Sequence, residues 1–105
     1  MPFEDATIDV IFTRAVSHHL TDHALDLFMV ESKRVLKSEG RLIFVDAFLN
    51  PSNQIGKLLW KYDVGTMPRD ASAILRAISR QFSIVSERRV RPLHDMLILV
   101  AHPLQ

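Results

Sequence analysis

The feature that most constrains this chain is a pair of short, nearly unbroken apolar runs, Ile8 to Thr13 (I-D-V-I-F-T) and Leu42 to Val45 (L-I-F-V), with a stretch of different period between them. Runs this short and this apolar suit strands buried on both faces. From Thr21 the spacing changes. Thr21 can cap a helix, Asp22 favours its positive end, and Leu25, Phe28, Val35 and Leu36 share one helical stripe. Lys33, Arg34 and Lys37 suit a helix C-terminus and Gly40 a stop, which predicts a helix over residues 22 to 37. Strand, helix and strand in that order predict a right-handed parallel crossover.

The second run ends in Asp46 and leads to Asn50-Pro51-Ser52, a turn signal. Helical spacing resumes from Gln54 to Tyr62 and is interrupted by Gly65 and Pro68. Asp70 is expected to cap a further helix carrying Ala71, Ile74, Leu75, Ile78 and Phe82 on one face. Ile84 to Val90 and Met96 to Ala101 then read as an antiparallel hairpin around Pro92. Glu87, Arg88, Arg89 and Arg91 mark the first strand of that hairpin as a charged edge. Its second strand, apolar on both faces, is expected to be central. The group Arg88-Arg89-x-Arg91 reads as a solvated edge and not as a phosphate site, because no exposed aromatics alternate with it.

At 105 residues this is one domain, residues 1 to 105, with 48% apolar and 24% charged residues, the balance of a folded protein. Thirteen basic against twelve acidic side chains give a net charge of +1, so no overall field favours nucleic acid or an anionic membrane. The chain has no cysteine, which excludes disulfides, thiolate metal sites and a cysteine nucleophile. No apolar run approaches about 20 residues and the N-terminus lacks the basic-then-apolar order of a signal peptide. A cytoplasmic location is the expectation.

Two segments resemble motifs of class I S-adenosylmethionine-dependent methyltransferases of the small-molecule branch. The opening M-P-F-E-D-A-T-I-D-V-I-F-T-R-A-V-S-H-H-L is similar to that family's fourth strand and the loop after it, with Phe3, Asp9, Val10, His18, His19 and Leu20 in place. Arg34 to Ile43, R-V-L-K-S-E-G-R-L-I, resembles the run R-V-L-K-P-G-G-R-L, with Ser38 and Glu39 replacing the proline and first glycine. The resemblance covers nearly the whole chain. It implies an α/β, Rossmann-like half-fold of about four strands, two parallel plus a C-terminal antiparallel hairpin, and about three helices.

The same resemblance implies the function and marks what is missing. S-adenosylmethionine would be the cofactor, with Phe3, Thr13, Arg14 and Ala15 on its side. His18, His19 and Asp46 would face the methyl acceptor, a histidine there serving as base near neutral pH; alternatively the histidine pair caps or packs the following helix and Asp46 caps the next segment. Trp60, Tyr62 and Asp63 with Arg69 would form a lid, or simply an amphipathic helix at an interface. In the family, a glycine-rich turn after the first strand cradles the cofactor and an acidic residue after the second binds its ribose. Gly40, Gly56 and Gly65 form no such turn. The expectation is therefore a truncated, C-terminal half-fold that does not catalyse alone.

Two alternatives follow for the partner: a complementary N-terminal half, or a second copy in a homodimer that serves as a non-catalytic binding module. Residues 42 to 45 and 96 to 100 are apolar on both alternating faces, so helices on one face leave the other bare, and a bare patch of roughly several hundred Å² favours self-association. His18, His19, His23 and Asp22 also form a metal-like group, but the spacing is weak and no metal is assigned.

Overall fold

The computed structural model describes residues 3–15, 17–50, 52–55, 69–90 and 95–104. In chain order these form β1 (Ile8–Arg14), a 3-10 turn (Ser17–His19), α1 (Asp22–Val35), β2 (Leu36–Phe48), α2 (Ala71–Ser79), β3 (Phe82–Val90) and β4 (Asp95–Pro103). The strands make one sheet in the order β1-β2-β4-β3. β1 and β2 are parallel, while β2 with β4 and β4 with β3 are antiparallel. The predicted crossover, the terminal hairpin, the central place of β4 and the exposed, charged β3 are all present.

Both helices lie on one face of the sheet. Leu25 and Met29 of α1 and Ala71, Ile74, Ala77 and Ile78 of α2 pack against Leu42, Phe44 and Phe48 of β2 and Leu97, Leu99 and Ala101 of β4. Thr21 and Asp70 cap the helices as expected, accepting hydrogen bonds from the amides of Ala24 (3.1 Å) and Ala73 (2.8 Å). On the opposite face Val10 and Phe12 are 53% and 62% exposed, and Ile43, Val45, Met96, Ile98 and Val100 are only partly buried. β1 is thus buried on one face, not two, since among the described residues no helix covers its outer side chains.

Three other expectations are corrected. α1 ends at Val35, two residues early, because Leu36 is needed in the sheet: it pairs with Ile8 and is buried in the core. The helix carbonyls of Arg34 and Val35 accept instead from the amides of Ala6 and Thr7, both at 2.9 Å, on the segment leading into β1. Gly40 is not a helix stop but part of β2, where the register against β1 shifts; a Cβ there would lie 2.9 Å from the Lys37 carbonyl oxygen and 3.0 Å from that of Asp9. Phe82 opens β3 after α2 has ended, although it stays in the core. Of the helix expected from Gln54, only Gln54 and Ile55 are described; Trp60, Tyr62, Asp63, Gly65 and Pro68 lie outside the described residues.

Candidate functional site

In a parallel pair the strands deliver their following loops to the same edge, and open α/β sheets bind ligands at that carboxyl edge. Here the edge is built by the ends of β1 and β2. At Ala15 the chain leaves β1 with φ 57, in the left-handed region, while its amide donates to the Val45 carbonyl (2.9 Å). That conformation costs a non-glycine residue about 1–2 kcal/mol. Here it turns the chain sharply out of the sheet and into the 3-10 turn.

The turn is fastened from below by Asp46. This carboxylate, fully buried on the helix-covered face of β2, accepts from the Ser17 amide (2.6 Å) and the Ser17 hydroxyl through Oδ2, and from the Ala47 amide (2.8 Å) through Oδ1. Burying an anion is costly unless hydrogen bonds replace its hydration, and these donors do so. From the other side Arg69 reaches the same turn. Its side chain is only 8% exposed, and the guanidinium donates to the carbonyls of Ser17 and Leu20 and, through Nε, to Asp22 (2.9 Å). Its backbone carbonyl accepts from the Leu49 amide at 2.6 Å, which ties it to the end of β2.

A cavity of about 500 Å³ opens between the end of β2, the start of α2 and the ends of the hairpin strands, and no described residue of the turn itself is among those that line it. Phe48, Asn50, Asp70, Ser72, Arg89 and Asp95 are among its lining residues. Arg89 lies over the Phe48 ring at 5.6 Å and pairs with Glu87 at 3.0 Å, so part of this charged strand roofs the core. Asp95 is buried and accepts from the Asn53 side chain at 3.0 Å.

The structure brings Thr13, Arg14, Ala15, the Ser17–His19 turn and Asp46 together at one edge. Arg14 is exposed and has no hydrogen bond or ion pair among the described residues. Thr13 is buried with its hydroxyl unpartnered among them. His19 is exposed, and His18 is placed by its backbone in the turn. Phe3 does not join this group. Its carbonyl accepts from Arg34 (2.9 Å) at the far end of α1, so the length of β1, roughly 20 Å, separates it from Ala15. Arg69 does not serve as a lid, because its guanidinium is spent on the turn. Among the described residues there is no group of three His, Cys, Asp or Glu side chains able to hold a metal ion.

The sequence points to the stretch from Thr13 to His19 but not to Ser17 within it, gives no sign of Asp95, and suggests a different role for Arg69. No local pattern distinguishes a buried serine or arginine whose partners lie 29 to 52 residues away. The only local hint was an arginine immediately before a capping aspartate.

Residues 1–44 match the family described as Methyltransferase domain. No curated protein matches the chain. Among solved structures, the PH0226 protein from Pyrococcus horikoshii OT3 is 18% identical with a TM-score of 0.84, over 99% of this chain and 55% of that one. A geranyl diphosphate C-methyltransferase from Streptomyces coelicolor A3(2), solved with Mg2+, geranyl diphosphate and S-adenosyl-L-homocysteine, is 13% identical with a TM-score of 0.81, over 99% and 51%. A geranyl diphosphate methyltransferase solved with GPP and sinefungin is 15% identical with a TM-score of 0.81, over 99% and 49%. The fold is that of S-adenosylmethionine-dependent methyltransferases, and the chain spans about half the length of these relatives.

Proposed function

We propose that the chain forms the acceptor side of an S-adenosylmethionine-dependent methyl transfer to a small molecule, with the donor pocket completed from outside these 105 residues. One observation carries this reading. The loop after β1 lies within the matched residues 1–44 and stands, fastened by Asp46, at the carboxyl edge of two parallel strands, the edge at which the end of β2 also lines a 500 Å³ cavity. The residues present suit one side of the donor only. Arg14, exposed and with no partner among the described residues, is placed to meet a carboxylate, but no glycine-rich turn stands among the 105 residues to cradle the remainder.

When bound, the donor supplies an electrophilic methyl group on a sulfonium sulfur. The chain's own contribution is positioning, which dominates a direct displacement between two held partners. The cavity lined by Phe48, Asn50 and Ser72 takes the acceptor, and Asp46 keeps the turn still. His18 and His19 stand in that turn, and a histidine there takes the acceptor's proton as the methyl group moves from sulfur to the acceptor. Calorimetric titration with S-adenosylmethionine and S-adenosylhomocysteine tests the reading. Binding in the micromolar range that Arg14→Ala weakens at least tenfold supports it; no heat at millimolar ligand for the chain, alone or mixed with a glycine-rich N-terminal half, overturns it.

A second reading, a non-catalytic homodimeric module, is favoured by the apolar face bearing Val10 and Phe12 beside the outer edge of β1. Two β1 strands paired antiparallel about Ile11 would set Val10 of each copy opposite Phe12 of the other and join the two sheets. Sizing by light scattering decides it. A dimer that Phe12→Lys converts to monomer supports this reading, and a monomer at high micromolar concentration rejects it.

A further inference from the structure

We propose that Arg69 is a positioning residue that, together with Asp46, sets the shape of the loop after β1; the effect on ligand affinity rests on the function proposed above. Ser17 is gripped at both ends. Its amide and hydroxyl donate to Asp46 on β2, and its carbonyl accepts from Arg69 on the segment entering α2. A three-residue 3-10 turn has too few internal bonds to hold its own geometry. The Ser17–His19 turn keeps one, from the Leu20 amide to the Ser17 carbonyl at 3.1 Å. Arg69 adds the missing restraint by donating to the carbonyls of Ser17 and Leu20 at once, as a carboxyl-end cap supplied from 49 to 52 residues away.

A guanidinium suits this task because its donors are fixed in a plane and reach two carbonyls and a carboxylate together; a lysine ammonium cannot span all three. Asp22 balances the buried cation from an almost fully exposed position. The same residue anchors the acceptor side, since the Leu49 amide binds the Arg69 carbonyl and Leu49 and Asp70 both line the cavity. Arg69 therefore joins the cavity wall to the loop that carries Arg14 and the histidines. A displaced cavity wall displaces the loop, which couples the two binding events reciprocally.

The test uses the full chain with Arg69→Ala, Arg69→Lys and Asp22→Asn, read by amide hydrogen exchange and by calorimetric titration with S-adenosylhomocysteine. The expected result is exchange at Ser17 and Leu20 at least tenfold faster in Arg69→Ala, with the β4 amides unchanged, and affinity at least tenfold weaker. Arg69→Lys should recover only part of both effects, and Asp22→Asn should change exchange less than threefold. If Arg69→Ala does not fold, Arg69→Lys carries the comparison. Unchanged exchange at Ser17 and Leu20 overturns the inference, as does faster exchange with unaltered affinity. Faster exchange in a protein whose wild type binds no ligand upholds the grip on the loop while removing the proposed methyl transfer, so the two failures are distinguishable.

Discussion

Asp46 and Arg69, opposite charges on different segments, hold the two ends of one residue: Asp46 takes the Ser17 amide and hydroxyl, and Arg69 the Ser17 carbonyl. The carboxylate is fully buried, so its removal strands the buried amide and hydroxyl of Ser17 without their acceptor. Asp46→Ala should therefore destabilise by about 3 kcal/mol in urea unfolding, because an unmet buried polar group costs more than a hydrogen bond is worth. Asp46→Asn, which keeps one acceptor oxygen but turns its NH2 toward the amide of either Ser17 or Ala47, should cost about 2 kcal/mol. Equal stability of Asp46→Ala and wild type would show that the carboxylate does not fasten the turn.

Gly40 sits where the register of β2 against β1 shifts, and a methyl group there meets backbone oxygens at 2.9 and 3.0 Å that belong to two strands. Neither atom is the end of a flexible side chain. Gly40→Ala should cost about 1–3 kcal/mol through forced displacement of the strand pair, read as a lower urea midpoint with an unchanged slope.

Ala15 adopts φ 57 at the point where β1 hands the chain to the turn. Glycine removes the left-handed penalty of about 1–2 kcal/mol but loosens the unfolded chain by about 0.4–1 kcal/mol, so Ala15→Gly should stabilise by about 0.5–1 kcal/mol. The expected readout is a melting temperature higher by a few degrees. A decrease would mean that the Ala15 side chain makes packing contributions exceeding its backbone strain.

Arg34 gathers the N-terminal segment by binding Asp5 (2.7 Å), Glu31 (2.8 Å) and the Phe3 carbonyl. Its hydrogen bonds hold the Glu31 carboxyl below its ordinary value of 4.5 and raise the arginine's own. A carboxyl depressed in the folded state adds stability that is present above 4.5 and is lost as pH falls through the lower, folded value. Acid unfolding of Glu31→Gln should accordingly lose part of the wild-type decline below pH 4.5, while the two proteins should keep parallel profiles near neutrality. Identical acid limbs would show that the ion pair contributes nothing, as is common for exposed pairs.

The sequence by itself determined the elements and their order. Ile8 to Thr13, the stripe from Leu25 to Val35, Leu42 to Val45, the Asp70 cap and the closing hairpin are local patterns, because strand and helix periodicities are written in neighbouring residues. It also carried the methyltransferase resemblance, on the opening segment and on Arg34 to Ile43, and the two-sided apolar character of residues 42 to 45 and 96 to 100, whose Ile43, Val45, Met96, Ile98 and Val100 stay only partly buried. Only the tertiary structure decided that Leu36 belongs to the sheet, that Gly40 serves a close approach between strands, that Phe3 stands away from Ala15, and that Ser17 is the point gripped by Asp46 and Arg69. The reason is separation along the chain. A hydrogen bond spanning 29 or 52 residues leaves no periodic trace, and the alignment of the partners is set by sheet register and helix packing.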